Sequence, residues 1–467
     1  MFKNPLIRRA LSLIVVWIAL AFVLAMTQSQ TYQRSAYANE ATRNIYQAWG
    51  EKQLISGVML KISYDSPRWI EPTDESPGRL THTKKVAVLV PTESDTSIEL
   101  STSRRSIGLF SAPVYEASVD SNLSFDPAAI TRVLKSPYDN YPIQHVEASL
   151  SVYVKNAMQI VGSPSLQMES QDLPVLANSD ITSVSGFHVP LDAAQLASLN
   201  TVALRFNARG SESIQYIPVA NRATLSISGD WPHPSFLAGL SPGFRDVQDS
   251  GFDAKWQFTD INNPAITSIG RCLDGRLCEK VFSRDNAVGV DINEPVNLYR
   301  LNGRASDYAN LFVILVLASI VAFEVIGGRP VHTIQYFLAG ASVSIFFLLQ
   351  LALSEHFGFF WAYVVAATAC VSVLTIFMSG VLGSTRAAIK LGAVVGGVYG
   401  VLLQILYMED FAFLSAALVM FFGLAFVMVK TRKLDWYQLE QSLEVPLKKK
   451  LMARKQTENQ PSEDGTN

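Results

Sequence analysis

Little in this sequence offers itself to catalysis. Cysteine occurs only three times in 467 residues, too few for a disulfide-built scaffold and without the second ligand pair that a zinc site needs. There is no Gly-x-Ser-x-Gly elbow, no phosphate-cradling glycine loop, no His-Glu-x-x-His and no Cys-x-x-Cys. The common hydrolase, nucleotide, zinc-protease and redox signatures are therefore missing. Charge is scarce as well. Charged residues make up 17% of the chain and the formal net charge is -2, which leaves no basic surface for nucleic acid. No cofactor and no metal are expected from these patterns.

What the chain has is long apolar runs. Ala10–Thr27 stands alone near the N-terminus, and Tyr308–Gly327, Ile334–Leu353, Phe357–Ser379, Ala387–Tyr407 and Phe411–Val429 follow in close succession. Each approaches the roughly 20 residues that a helix needs to cross a hydrocarbon layer about 30 Å thick. Backbone groups find no water there, so each run must be helical or part of a closed barrel. The runs are too long and too continuously apolar for barrel strands. The first run begins with basic residues, and Ala36-Tyr37-Ala38 resembles a signal-peptidase site. That site lies well beyond the apolar stretch, so the run reads as an uncleaved anchor.

The short connecting segments orient the spans. Lys3, Arg8 and Arg9 precede the first span, Arg329 follows the second, Arg386 and Lys390 flank the start of the fifth, and Lys430, Arg432 and Lys433 follow the sixth. The opposite loops, Ser354–His356 and Met408–Asp410, carry no Lys or Arg. By the positive-inside rule both termini are cytoplasmic and the long segment after the first span is outside. The expected fold class is an α+β membrane protein. It has six transmembrane helices, one N-terminal and five C-terminal, with a large mainly β periplasmic domain between the first and second. The division is a cytoplasmic N-terminus (1–9), an anchor helix (10–27), a periplasmic domain (28–307), a five-helix bundle (308–429) and a cytoplasmic tail (430–467).

Within the external domain, residues 40–55 read as a short helix after the anchor, with Ile45, Trp49 and Leu54 near helical spacing. From Ser56 the period changes to two. Val86–Val90, Ser97–Leu100, Val146–Val154, Val202–Phe206 and Leu225–Ser228 alternate apolar and polar residues between Gly, Pro, Asn and Asp. This is antiparallel-sheet chemistry, and a two-layer sandwich is expected. Asn207–Gly210 reads as a hairpin turn between Thr201–Phe206 and Ser213–Pro218. Cys272 and Cys278 enclose a five-residue loop that can close as a disulfide in an oxidising compartment; free thiols are the alternative, and a metal would need further ligands. Residues 456–467 read as a disordered tail. The basic run Lys448–Lys450 with Arg454 and Lys455 reads either as solvated or as drawn to anionic lipid head groups.

Trp231-Pro232-His233-Pro234-Ser235-Phe236, then Gly251-Phe252 and Trp256-Gln257, carry a resemblance to the CreD family of inner-membrane proteins. Arg304 with Tyr308-Ala309, Phe323-Glu324, Gln335-Tyr336, Leu351–His356 and Asp435-Trp436-Tyr437 continue it in order. Thr333 follows His332 where the family pattern has Pro. The resemblance implies a bacterial cytoplasmic-membrane protein linked to envelope integrity and induced by a two-component system. It implies no catalytic activity.

Several residues invite functional readings. Glu355 and His356 end the third span, and Glu409 and Asp410 end the fifth on the same side; convergence would make a metal or proton-relay site, and otherwise they are interfacial residues. Glu324 lies within the second span. It either pairs with Arg329 or Lys390, or serves a proton or substrate role. Trp231, His233 and Phe236 form a rigid corner or a recognition loop. Gly392, Gly396 and Gly400 make a smooth stripe for helix packing within the monomer or between copies. The function expected is support of the envelope or its stress response by interaction, with membrane lipids and an unidentified envelope protein or ligand as partners. The alternative is a small-molecule or ion transporter using Glu324, Gln350 and Gln404.

Overall fold

The computed structural model describes residues 5–72, 78–169, 171–180, 185–236, 240–269, 281–292, 294, 298–327, 331–408 and scattered positions from 414 to 432. Cys272, Cys278, Arg329, Glu409 and Asp410 lie outside the described residues, as do most of Phe411–Val429 and the tail from Lys433. The chain divides into two compact units, Met1–Tyr37 with Val296–Asn467 and Ala38–Pro295.

Helix α1, Pro5–Trp49, contributes to both. The sequence reads as two helices because residues 28–39 are polar. Yet no Gly or Pro interrupts Leu6–Trp49, so nothing breaks the hydrogen-bonded ladder between the apolar half and the amphipathic half. The helix stops at Gly50. There φ is +144°, and a Cβ would lie 2.8 Å from the Arg209 carbonyl oxygen.

The second unit carries the strands. In chain order they are β1 (Gln53–Ser56), β2 (Met59–Ile70), β3 (Arg79–Leu89), β4 (Glu93–Ile107), β5 (Phe110–Ser124), β6 (Gln144–Tyr153), β7 (Ile160–Met168), β8 (Gln171–Leu173) and β9 (Leu176–Ala177). There follow β10 (Gly186–Leu191), β11 (Thr201–Ser211), β12 (Ser213–Ile217), β13 (Arg222–Gly229), β14 (Pro234–Phe236), β15 (Phe244–Gln248), β16 (Gly251–Phe258) and β17 (Val288–Ile292). Short helices α2 (Pro127–Val133), α3 (Ala193–Ser198) and α4 (Pro264–Ile269) lie between them.

The described strands form three sheets. Eight run in the order β15-β16-β13-β4-β5-β11-β7-β8, five in the order β3-β2-β6-β10-β9, and four in the order β1-β12-β17-β14. Most neighbours are antiparallel; β13 pairs with β4, and β1 with β12, in parallel. Period-two patterning places Ile98 and Leu100 of β4, Val119 and Leu123 of β5, and Leu225 and Ile227 of β13 on the buried face of the largest sheet. Leu60 and Ile62 of β2, Leu150 and Val152 of β6, and Val189 of β10 join the same core from the five-stranded sheet. Two faces packed this way make the expected sandwich. The four-stranded sheet, through Ile214, Tyr216 and Val290, is an addition to it.

The hairpin expected at Asn207–Gly210 is absent. Asn207 pairs with Ser118 and Gly210 with Tyr115 inside a continuous β11, and the chain turns at Glu212, where φ is +58°. Gly210 is there for close approach. A Cβ would collide with the Tyr115 hydroxyl, which donates to the Ser213 carbonyl at 2.7 Å.

In the first unit, α1 is joined by α5 (Leu298–Asp307), α6 (Ala309–Gly327), α7 (Thr333–Phe357), α8 (Phe359–Leu382) and α9 (Thr385–Tyr407). Among the described residues, four helices, α1, α7, α8 and α9, are long and apolar enough to cross a membrane. The pair α5–α6, bent by 49°, makes a fifth if it counts as one span. Leu20 of α1 is fully buried and fills the space that a Cβ on Gly340 of α7 would occupy. Small residues let helices approach closely where lipid gives no hydrophobic drive. Among the described residues, the Gly392–Gly396–Gly400 stripe packs at Gly392, against Thr375 of α8, and none of them lies within 4 Å of a Cβ at Gly396 or Gly400.

Gly289 sits in β17 between β12 and β14, and a Cβ there would collide with the Ile214 carbonyl oxygen. Gly289→Ala is expected to destabilise the strand-rich unit by roughly 2–4 kcal/mol, because backbone must move within a paired strand. Gly243→Ala, whose Cβ would lie 3.9 Å from its nearest neighbour, is the control. Equal resistance of the two variants to denaturant and proteolysis would refute this.

Candidate functional site

Pro232 and Pro234 hold the Trp231–Phe236 segment extended and deny it two donors, so it can only edge a sheet. It does so as β14, paired on one side with β17. Trp231 Nε1 donates to the His233 carbonyl at 3.1 Å and closes the corner. Phe236 meets the rings of Phe252 and Trp256 edge-on, both at 6.2 Å. Trp256 is fully buried and donates Nε1–H to the Leu240 carbonyl at 2.8 Å. Trp231 and Phe236 are thus half-buried against the sandwich core, and His233 is the exposed member. Asp291 stands opposite Ser235 across the strand pair. Burial pushes its carboxyl above the usual range, while Lys52 and Arg284 pull it down.

In the helical unit Glu324 is buried within α6. One carboxylate oxygen accepts the Val331 backbone N–H at 2.9 Å and the other accepts the Tyr336 hydroxyl. The carboxylate therefore ties α6 to the start of α7. His332 caps α7 in a reciprocal pair with Gln335. Thr333, where the resemblance expects Pro, occupies the first helical position, which needs no backbone hydrogen bond.

Ser354, Glu355 and His356 do not form one cluster. Ser354 is buried and accepts from Asn302 Nδ2 of α5 at 2.9 Å. Glu355 accepts from the Tyr299 hydroxyl of α5 at 3.3 Å. His356 is exposed beside Phe357. The motif fastens the end of α7 to α5, and its suggested partners at 409 and 410 lie outside the described residues. Gln350 is buried and Gln404 is exposed, so these two do not share an environment. Among the described residues, no group of three or more His, Cys, Asp or Glu side chains could hold a metal.

Sequence reasoning missed a polar cleft of about 850 Å³ on the solvent face of the eight-stranded sheet. One row of paired residues crosses it: Gln257, Thr224, Asp95, Asn122, Ala203 and Gln167 on six successive strands. Arg222 is ion-paired with Glu93 at its rim. The outward polar positions are visible in the period-two pattern, but the row depends on register between strands far apart in the chain.

Glu324→Ala leaves two buried donors without this acceptor, each costing roughly 1–3 kcal/mol. The expected result is a clear drop in thermal stability in detergent, with Glu324→Gln intermediate because an amide oxygen still accepts. Combined with Tyr336→Phe, the losses should be non-additive by about 0.5–3 kcal/mol. Strict additivity would show that the pair is not coupled.

The family described as Inner membrane protein CreD matches residues 5–437, almost the full length. Inner membrane protein CreD of Escherichia coli strain K12 is 25% identical over 440 residues, covering 94% of this chain and 95% of that protein. The match takes in the edge-strand corner, the Glu324 clamp and the α5–α7 fastening alike, and this chain belongs to the CreD family of inner membrane proteins.

Proposed function

We propose that the chain crosses the inner membrane six times, with both termini cytoplasmic and residues 28–307 periplasmic. We propose further that it supports the cell envelope, or its response to stress, without catalysis. Its periplasmic domain would meet an envelope protein or ligand near Trp231–Phe236, and its spans would meet membrane lipids. The placement of every short basic segment on one side supports the topology. The rigid corner supports the interaction surface: two prolines and two packed aromatics hold exposed His233 in a fixed place, which lowers the ordering cost of binding.

A transporter is the competing reading, since a buried intramembrane acid is a functional candidate. The observation that favours interaction is the engagement of Glu324. One oxygen accepts from Val331, just before α7, and the other from Tyr336 in its first turn, which is the behaviour of a structural clamp.

Two measurements test the proposal. A reporter active only outside the cytoplasm should be active when fused at Asn263 and silent at Asn467; activity at the second site alone inverts the topology. Deletion should alter survival under envelope-directed stress. His233→Ala should complement poorly at normal protein levels, whereas Glu324→Gln should complement nearly as well as the parent. Trp231→Ala and Phe236→Ala should act like His233→Ala, with some loss of domain stability. If Glu324→Gln abolished complementation and the corner variants did not, transport would be the better account.

A further inference from the structure

The hairpin of β4 and β5 projects from its sheet. Every residue from Ser103 to Leu109 is exposed. Ile107 pairs with Phe110 across a turn whose Gly108 has φ +61° and open space around it. The tip is therefore apolar, Ile107-Gly108-Leu109-Phe110, with Ile107 and Leu109 47% and 63% exposed. Met158 and Ile261 are more exposed, but each stands alone among polar or small neighbours, which is ordinary on a protein surface. The tip is a contiguous run with Arg104 and Arg105 at its base.

The base of the hairpin is fixed to the two places where the chain enters and leaves this unit. Arg105 lies over the Trp49 ring at 4.2 Å, and Arg209 lies over the same ring at 4.4 Å. Trp49 donates to the Tyr115 carbonyl at 3.1 Å, and Ile45 packs with Ala112 and Val114. Moving back along α1 from Trp49 thus moves along β5 towards the tip. At the other end of the unit, Arg104 pairs with Glu294 at 2.5 Å, one residue before the unit closes at Pro295. Both exits lead to apolar spans, Ala10–Thr27 before and Tyr308–Gly327 after.

We infer that this tip is a lipid contact: Ile107 and Leu109 enter the head-group zone of the bilayer that holds the spans, and the exposed guanidinium edges that Arg104 and Arg105 keep beside Glu294 and Trp49 meet lipid phosphates. Apolar side chains backed by cations are the composition of an interfacial anchor. Cations near an anionic leaflet add attraction that salt weakens. The inference rests on reading the chain as membrane-anchored. It does not depend on which side the domain occupies, because a nanodisc presents both leaflets.

The test uses the full chain in nanodiscs of phosphatidylethanolamine and phosphatidylglycerol. Cys272→Ser, Cys278→Ser and Cys370→Ala clear the background, and a spin label is placed at Leu109→Cys. A control label at Asn207→Cys sits on an exposed strand position. At position 109, collisions with oxygen should exceed those with a water-soluble nickel chelate; at 207 the order should reverse. Adding Arg104→Gln and Arg105→Gln should lower the oxygen preference at 109. Greater nickel access at 109 would place the tip in water and overturn the inference. Shielding from both reagents would mean docking on protein and would overturn it equally. Should the cysteine-free background misfold, Leu109→Trp with native cysteines serves. Brominated lipid should then quench more fluorescence than in the parent, and equal quenching would also refute lipid contact. The reporter at Asn263 separates this outcome from a wrong topology.

Discussion

A buried polar group needs a partner where water cannot supply one, and the two units provide partners differently. In the apolar unit the backbone satisfies itself locally as helix, because hydrocarbon offers nothing else. The few polar side chains then act as fasteners between helices. Glu324 accepts from the start of α7, Asn302 reaches Ser354, and the Tyr363 hydroxyl donates to the Tyr399 carbonyl at 2.7 Å. Each sits where two helices must keep a fixed relation. An unpaired group there would cost more than the bond itself contributes.

In the strand-rich unit the backbone is satisfied between strands, so the side chains are free to alternate. That freedom makes the burial pattern of β4 so regular along its first eight residues. The same regularity explains what the sequence could and could not tell. Alternation at Ser97–Leu100 and Val202–Phe206 identified strands because period two is a local property. The end of β11 was misread because Gly210 looks like a turn residue and is in fact a close-approach residue beneath Tyr115. Local chemistry is the same in both cases, and only the position of a side chain 95 residues away in sequence separates them. The third sheet was hidden for a related reason: β1, β12, β14 and β17 are three to five residues long and come from distant parts of the chain.

The helices were legible in proportion to their apolar length. The spans at 334–353, 357–379 and 387–407 correspond to α7, α8 and α9 within a few residues. The anchor was found but its end was not, since polar residues 28–39 break a hydropathy run without breaking a helix. Site residues were legible by type and not by role. Trp231, Phe236 and Glu324 stand out as a proline-flanked aromatic pair and an acid within an apolar run. Their work as packing and clamping groups appears only with Phe252, Trp256, Val331 and Tyr336 in place.

The matched segments lie at junctions. The corner at Trp231–Phe236 edges the smallest sheet while packing on the sandwich core; Glu324 joins α6 to α7; Ser354 and Glu355 join α7 to α5. The junctional groups described here bond to neighbouring elements, and exposed His233 stands just before the held edge strand β14. The interaction we propose at this corner would draw on that rigidity, because a preorganised surface loses little entropy on binding.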